Sequence, residues 1–199
     1  LDRIGAPARV VPGLPCCGHD FELAGVEEAR EAEAGRVCAA LDETGARRIV
    51  VVSPECEHQL TVGFPRLGVA PRTEVLGLVS MLYEHREALG PFGDDVADEA
   101  VLYVGDATAG GRDSAEELLR AAGIPVVMTL PNEYHTAQEG SAGVQGFVHC
   151  DAESRLAQDR LLETAERAGA RTLITLSTLS AVHLRCATRR GSWARSPVK

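Results

Sequence analysis

Gly45-Ala46-Arg47-Arg48-Ile49-Val50-Val51-Val52-Ser53 and Gly169-Ala170-Arg171-Thr172-Leu173-Ile174-Thr175-Leu176-Ser177 decide the fold. Each stretch is a glycine, then Ala-Arg, then a short apolar run, then a serine. A glycine directly after an Ala-, Glu- and Arg-rich segment closes a helix, because it enters the left-handed conformation that ends one. Ile49 to Val52 and Leu173 to Leu176 are apolar almost without interruption rather than alternating. That is the pattern of a strand covered on both faces, as in a parallel sheet.

Working outward, each stretch lies in the same larger unit. Helices are predicted upstream over about residues 26–44 and 151–168. Further upstream, Leu14-Pro15-Cys16-Cys17-Gly18-His19 answers to Leu130-Pro131-Asn132-Glu133-Tyr134-His135, at a slightly shorter offset. The difference is a longer loop in the second copy, near residues 140–146. Before these motifs, the apolar runs at residues 8–11 and 124–128 are predicted strands. Strand–helix–strand order with continuous apolar strands gives parallel α/β units. The second copy has an additional opening: a strand at 100–104, a loop at 105–111 and a helix at 113–122. Of this opening the first copy keeps only a helix end, residues 1–5. Residues 73–88 read as a helix closing the first copy, and a linker with Pro91, Gly93, Asp94 and Asp95 follows. The expected architecture is α/β: two tandem related units, residues 1–90 and 91–199, each a small parallel sheet flanked by helices, the first lacking its opening strand. The chain starts at Leu1 and stops at Lys199 inside an unfinished unit, so it reads as a fragment of a longer protein.

Composition narrows the function. The 199 residues are 45% hydrophobic and 25% charged, ordinary values for a globular protein. A net charge of -9 argues against nucleic acid as a partner, since phosphates need a basic face. Aromatics at 4% leave little for base stacking. No apolar run reaches the roughly 18 residues of a membrane span, and no signal-peptide core opens the chain. The expected compartment is the cytoplasm, with contact to a membrane only through a partner.

Six cysteines are too few for a disulfide scaffold. Cys16 and Cys17 are adjacent, and adjacent cysteines bridge each other only through a strained ring. Cys16, Cys17 and Cys56 follow the ends of two predicted strands, and loops after parallel strands gather at one edge of the sheet, where ligand sites form. Gly18 lets the backbone approach a bound group. Three thiolates fall one short of a closed four-ligand zinc or iron–sulfur site, and the fourth ligand is left open between the missing opening loop, His19 and His58. The residues alone leave two readings open, metal ligands or small buried core residues. Cys38 falls on the buried face of the first long helix and reads as core. Cys150 and Cys186 match no ligand position.

Pro15-Cys16-Cys17-Gly18-His19 with Ser53-Pro54-Glu55-Cys56-Glu57-His58 resembles the cysteine-rich CCG domain family. That family includes the cysteine-rich subunit of heterodisulfide reductase, the iron–sulfur subunits of glycolate and glycerol-3-phosphate oxidases, and lactate-utilisation proteins. The resemblance implies a cluster, of [4Fe-4S] type, on Cys16, Cys17 and Cys56 with a further cysteine upstream of Leu1. It implies an electron-transfer subunit of an oxidoreductase more than a stand-alone enzyme, working with a flavoprotein or ferredoxin-like partner. Gly18, His19, Ser53 and His58 are the candidates to surround the ligands, and no residue is assigned a catalytic role. Zinc on the same thiols, or a metal-free interaction subunit, are the alternatives.

Two departures from the family pattern matter. Ser53 stands where the first cysteine of Cys-x-x-Cys is expected. In the second copy Asp106, Asn132-Glu133-Tyr134, Ser177 and Ser180 replace every ligand cysteine, so that copy is expected to be structural. The glycine-rich loop at 105–111 lacks the Gly-Lys-Ser/Thr ending of a phosphate loop and the order of a dinucleotide site.

Overall fold

The computed structural model describes residues 4–89, 98–105, 111–130 and 152–190. It divides the chain into two compact units, Leu1–Leu89 and Gly90–Lys199. The chain is a mixed α/β protein with two small parallel sheets flanked by helices.

In the first unit, α1 (His19–Leu23) leads into α2 (Glu27–Glu43). The face of α2 turned inward carries Arg30, Glu33, Ala34, Val37, Cys38 and Leu41, the three-and-four spacing of one helix side. Cys38 is core, as expected. Ala34, Val37, Cys38 and Leu41 pack with Ile49, Leu60 and Phe64. The helix ends where the Thr44 hydroxyl donates to the Leu41 carbonyl at 2.7 Å and Gly45 turns to φ 63°. Strand β1 (Arg48–Val51) follows and pairs in parallel with β2 (Glu74–Gly77). Between them runs a helical stretch: α3 (Pro54–His58), a π-helical turn (Gln59–Gly63) and α4 (Phe64–Arg66). Helices α5 (Leu78–Glu84) and α6 (Arg86–Leu89) complete the unit.

The second unit has strands β3 (Ala100–Tyr103), β4 (Val126–Leu130) and β5 (Thr172–Thr175), all parallel, in the order β4-β3-β5. Its helices are α7 (Arg112–Ala121), α8 (Ala152–Arg167) and α9 (Thr178–Arg190). All four residues of the central β3 are buried. Leu161, Leu162 and Ala165 of α8 and Leu184 and Ala187 of α9 close over Val101, Tyr103 and Leu173. Gly169 ends α8 at φ 79°, as Gly45 ends α2.

Three expectations need correction. Residues 8–11 form no strand, and Val10 is 91% exposed. Among the described residues their counterpart in the second unit, β4, pairs only with β3. The described residues of the first unit hold no counterpart of β3, so residues 8–11 have no ladder to join, and an isolated strand cannot satisfy its backbone. The strand expected at 124–128 lies two residues later, because Ile124 and Pro125 still belong to the turn after α7: the Ile124 amide donates to the Leu119 carbonyl at 2.9 Å. Residues 73–88 are not one helix. Their first part is β2, drawn out by pairing with β1, and Gly77 has extended φ -69° and ψ 149° before α5 begins. Apolar periodicity favoured a helix there, and tertiary pairing overrode it. The loops at 106–110 and 131–150 and the linker at 90–97 lie outside the described residues.

Phe64 is wholly buried at the centre of the first core. Phe64→Ala should cost about 3–5 kcal/mol. Amide hydrogen exchange should show the loss in α2 and β1, with the protection of β3 unchanged.

Candidate metal centre

The Cys17 loop is built by Gly18, whose φ of 71° turns the chain into α1, and the Gly18 carbonyl accepts from the Phe21 amide at 3.0 Å. A Cβ at Gly18 would meet only ordinary contacts, so the backbone conformation, not space, calls for glycine there. The Cys56 loop leaves β1 through Ser53, which is extended, and Pro54, whose fixed φ suits a helix start. Cys56 therefore sits in the first turn of α3, directly beyond the strand end.

These two loops meet. The sulfurs of Cys17 and Cys56 lie 3.0 Å apart, and both residues are half-buried. Cys16, next in the chain, is exposed. The spacing therefore brings two of the three expected thiols into contact and leaves the third beside them. Cys186 is exposed and Cys150 lies outside the described residues.

Two half-buried sulfurs in contact cannot both carry charge, so the pair gives up its first proton at about pH 7 and keeps the second well above that. The hydrogen bond with Cys17 brings Cys56 down to about 7, against the opposing effect of burial, and Ser53 adds a smaller push in the same direction. The hydrogen bond to Cys56 drives Cys17 far upward, and burial adds to it. The Ser53 hydroxyl donates to the Glu55 carboxylate.

Behind the sulfurs lies a polar network that sequence reasoning missed. Gln59 Nε2 donates to the Glu22 carboxylate and lies 3.4 Å from His19 Nδ1. Glu22 in turn meets Arg30 Nη2 at 2.9 Å, and Arg30 also reaches Glu27 at 3.4 Å. Gln59 is completely buried and Arg30 nearly so. His19 is therefore held by Gln59 and Glu22, with its Nδ1 turned to the network. His58 has no described contact of this kind. Glu57 accepts from the Gly77 amide at 3.1 Å, which ties α3 to the end of β2. The available signal was an arginine on the apolar side of α2, together with a glutamine one turn after Cys56.

Residues 8–61 match the family model described as CCG, cysteine-rich domain. This segment is similar to the CCG cysteine-rich domain. It contains Cys16, Cys17 and Cys56 and ends inside the π-helical turn. No curated protein matches the chain. A CCG domain is consistent with metal binding, and two sulfurs in contact are the soft donors that iron and zinc favour. Among the described residues no group of three or more His, Cys, Asp or Glu side chains is gathered as a metal site. The donor set therefore fits one edge of a thiolate-bound centre, with Cys16 adjoining. No helix among the described residues is long and apolar enough to cross a membrane.

The second unit shows what the first unit's network replaces. Aligning Gly45 with Gly169 pairs Cys56 with Ser180, Gln59 with His183, Arg30 with Ser154 and Gly63 with Ala187. There the buried link is shorter: Gln158 Nε2 reaches His183 Nδ1 at 3.2 Å and donates to Ser154 Oγ at 3.3 Å. In the first unit a Cβ on Gly63 would stand 2.5 Å from Gln59 Oε1 and 2.9 Å from Arg30 Nη2. Where serine replaces the arginine, alanine replaces the glycine.

Two outcomes are expected. Cys56 should be alkylated at a rate that rises through about pH 7. In Cys17→Ala, which has no hydrogen to donate, the midpoint should move up toward the usual thiol value of about 8.5. Gly63→Ala should destabilise the first unit by about 1–3 kcal/mol, because the buried Gln59 and Arg30 have little room to yield. Pairing it with Arg30→Ser should recover part of the loss.

Proposed function

We propose that the CCG-like segment binds an iron–sulfur cluster and that the chain is an electron-transfer subunit of a cytoplasmic oxidoreductase. The observation that carries this reading is the contact between Cys17 and Cys56, two thiols from separate loops at the end of β1, with Cys16 beside them. Cys16, Cys17 and Cys56 would hold the cluster, and a fourth donor would come from outside the described residues. When bound, such a cluster exchanges single electrons at a potential set by burial and by hydrogen bonds to sulfur. The chain's own residues supply those settings. Ser53 donates to the Glu55 carboxylate and favours the Cys56 thiolate. Gln59, His19 and Glu22 fix α1 against α3 and so hold the two cysteine loops at one separation. The partner would be a flavoprotein or a ferredoxin-like module, which carries out the chemistry on the substrate. The second unit, with Ser177 and Ser180 at the positions of Ser53 and Cys56, would serve packing rather than ligation.

The test is metal analysis of the protein at its full natural length, purified without oxygen. About four iron and four sulfide per chain with broad absorbance near 400 nm is the expected result, lost in Cys17→Ser and Cys56→Ser. About one zinc and no colour would replace the cluster with a zinc centre on the same thiols. Protein free of both metals, with every thiol open to labelling, would overturn metal binding and leave an interaction subunit.

A further inference from the structure

The geometry points to a second use of the same sulfurs: Cys17 and Cys56 form a reversible disulfide by exchange with a low-molecular-weight disulfide whenever no metal is bound. Three observations carry this. The sulfurs are 3.0 Å apart although the residues are 39 positions apart in sequence. A disulfide needs about 2.05 Å between sulfurs, so small side-chain rotations close the gap. Both residues are half-exposed, so a small reagent reaches them, whereas Cys38 is enclosed in the core. The competing bridge within Cys16-Cys17 is disfavoured by ring strain. The Gln59 link between α1 and α3 keeps the two loops together without a metal.

The exchange balances without any further oxidant. The thiolate of one cysteine attacks a sulfur of the small disulfide RS–SR, forming a protein–SR mixed disulfide and releasing RS⁻. The second cysteine loses its proton and attacks the protein sulfur of that mixed disulfide, and the second RS⁻ leaves. In sum, two protein thiols become one disulfide and RS–SR becomes two RSH. Excess RSH runs both steps backward. The bond and a bound metal exclude each other, because both use the same two sulfurs. This inference does not rest on the cluster reading, since it concerns the metal-free chain.

The experiment uses the full chain, stripped with a chelator, reduced, and then exposed to oxidised glutathione under native conditions. Remaining thiols are blocked, and the chain is digested with trypsin without reduction. The expected product links residues 10–30 to residues 49–66, in the wild type and in Cys16→Ser. Cys17→Ser and Cys56→Ser should stop at the glutathione adduct. The link should form about tenfold faster in the native chain than in urea, where proximity is lost. Reduced dithiothreitol should reverse it. A wild-type chain that stays reduced or stops at the adduct overturns the proposal. So does a link that persists in Cys17→Ser, or one that forms no faster than in urea. Iron uptake, measured separately on the reduced chain, keeps the two readings apart. A chain that forms the bond but takes no iron overturns only the cluster, and the reverse result overturns only the disulfide.

Discussion

The first unit depends on a buried cation. Arg30 lies on the inward side of α2, where an unpaired charge is very costly. Glu22 answers that charge from α1, and Gln59 answers Glu22 from the helical stretch after β1. The chain of contacts joins three helical segments, and each cysteine of the pair stands close to one of its ends. Cys17 precedes His19 by two residues, and Cys56 precedes Gln59 by three. The requirement to satisfy one guanidinium thus sets how the two thiol loops meet. Room for this arrangement is made by Gly63, in a π-helical turn of the kind often found beside functional sites.

The second unit keeps the scaffold and changes the chemistry. Its long helix, glycine stop and parallel strand follow the same order, and a buried polar link again joins the long helix to the helix after the strand. Ser154 and His183 need less space than Arg30 and Gln59, and Ala187 fills what Gly63 leaves open. Serines stand at the cysteine positions and are buried. One pattern of strand and helix therefore carries either a thiol pair backed by a charged network or a compact apolar core with a small polar link.

Much of this was legible in the sequence. The two Gly-Ala-Arg stretches fixed both helix ends and both strands that follow, since glycine at positive φ and a continuous apolar run leave few alternatives. The meeting of Cys17 with Cys56 was expected from loops after parallel strands sharing one edge, but residues 8–11 form no strand, and it is the contacts of α1 with the helical stretch after β1 that hold the Cys17 loop there. Residues 73–88 misled, because Val75, Leu76, Leu78, Val79 and Leu82 fit a helical stripe as well as a strand followed by a helix. Only the edge of β1 chose between them.

By itself, then, the sequence determined the α/β class, the glycine-terminated helices and the two loops that carry the thiols. These are set by local conformational preference and by apolar periodicity, which act over a few residues. Tertiary structure alone decided that residues 8–11 stay out of a sheet, that β2 exists, and that Arg30, Glu22, Gln59 and His19 form one network. Each of these depends on whether a distant backbone edge or a buried charge finds its partner. Such partners are far apart along the chain, and only the folded packing brings them within hydrogen-bonding distance.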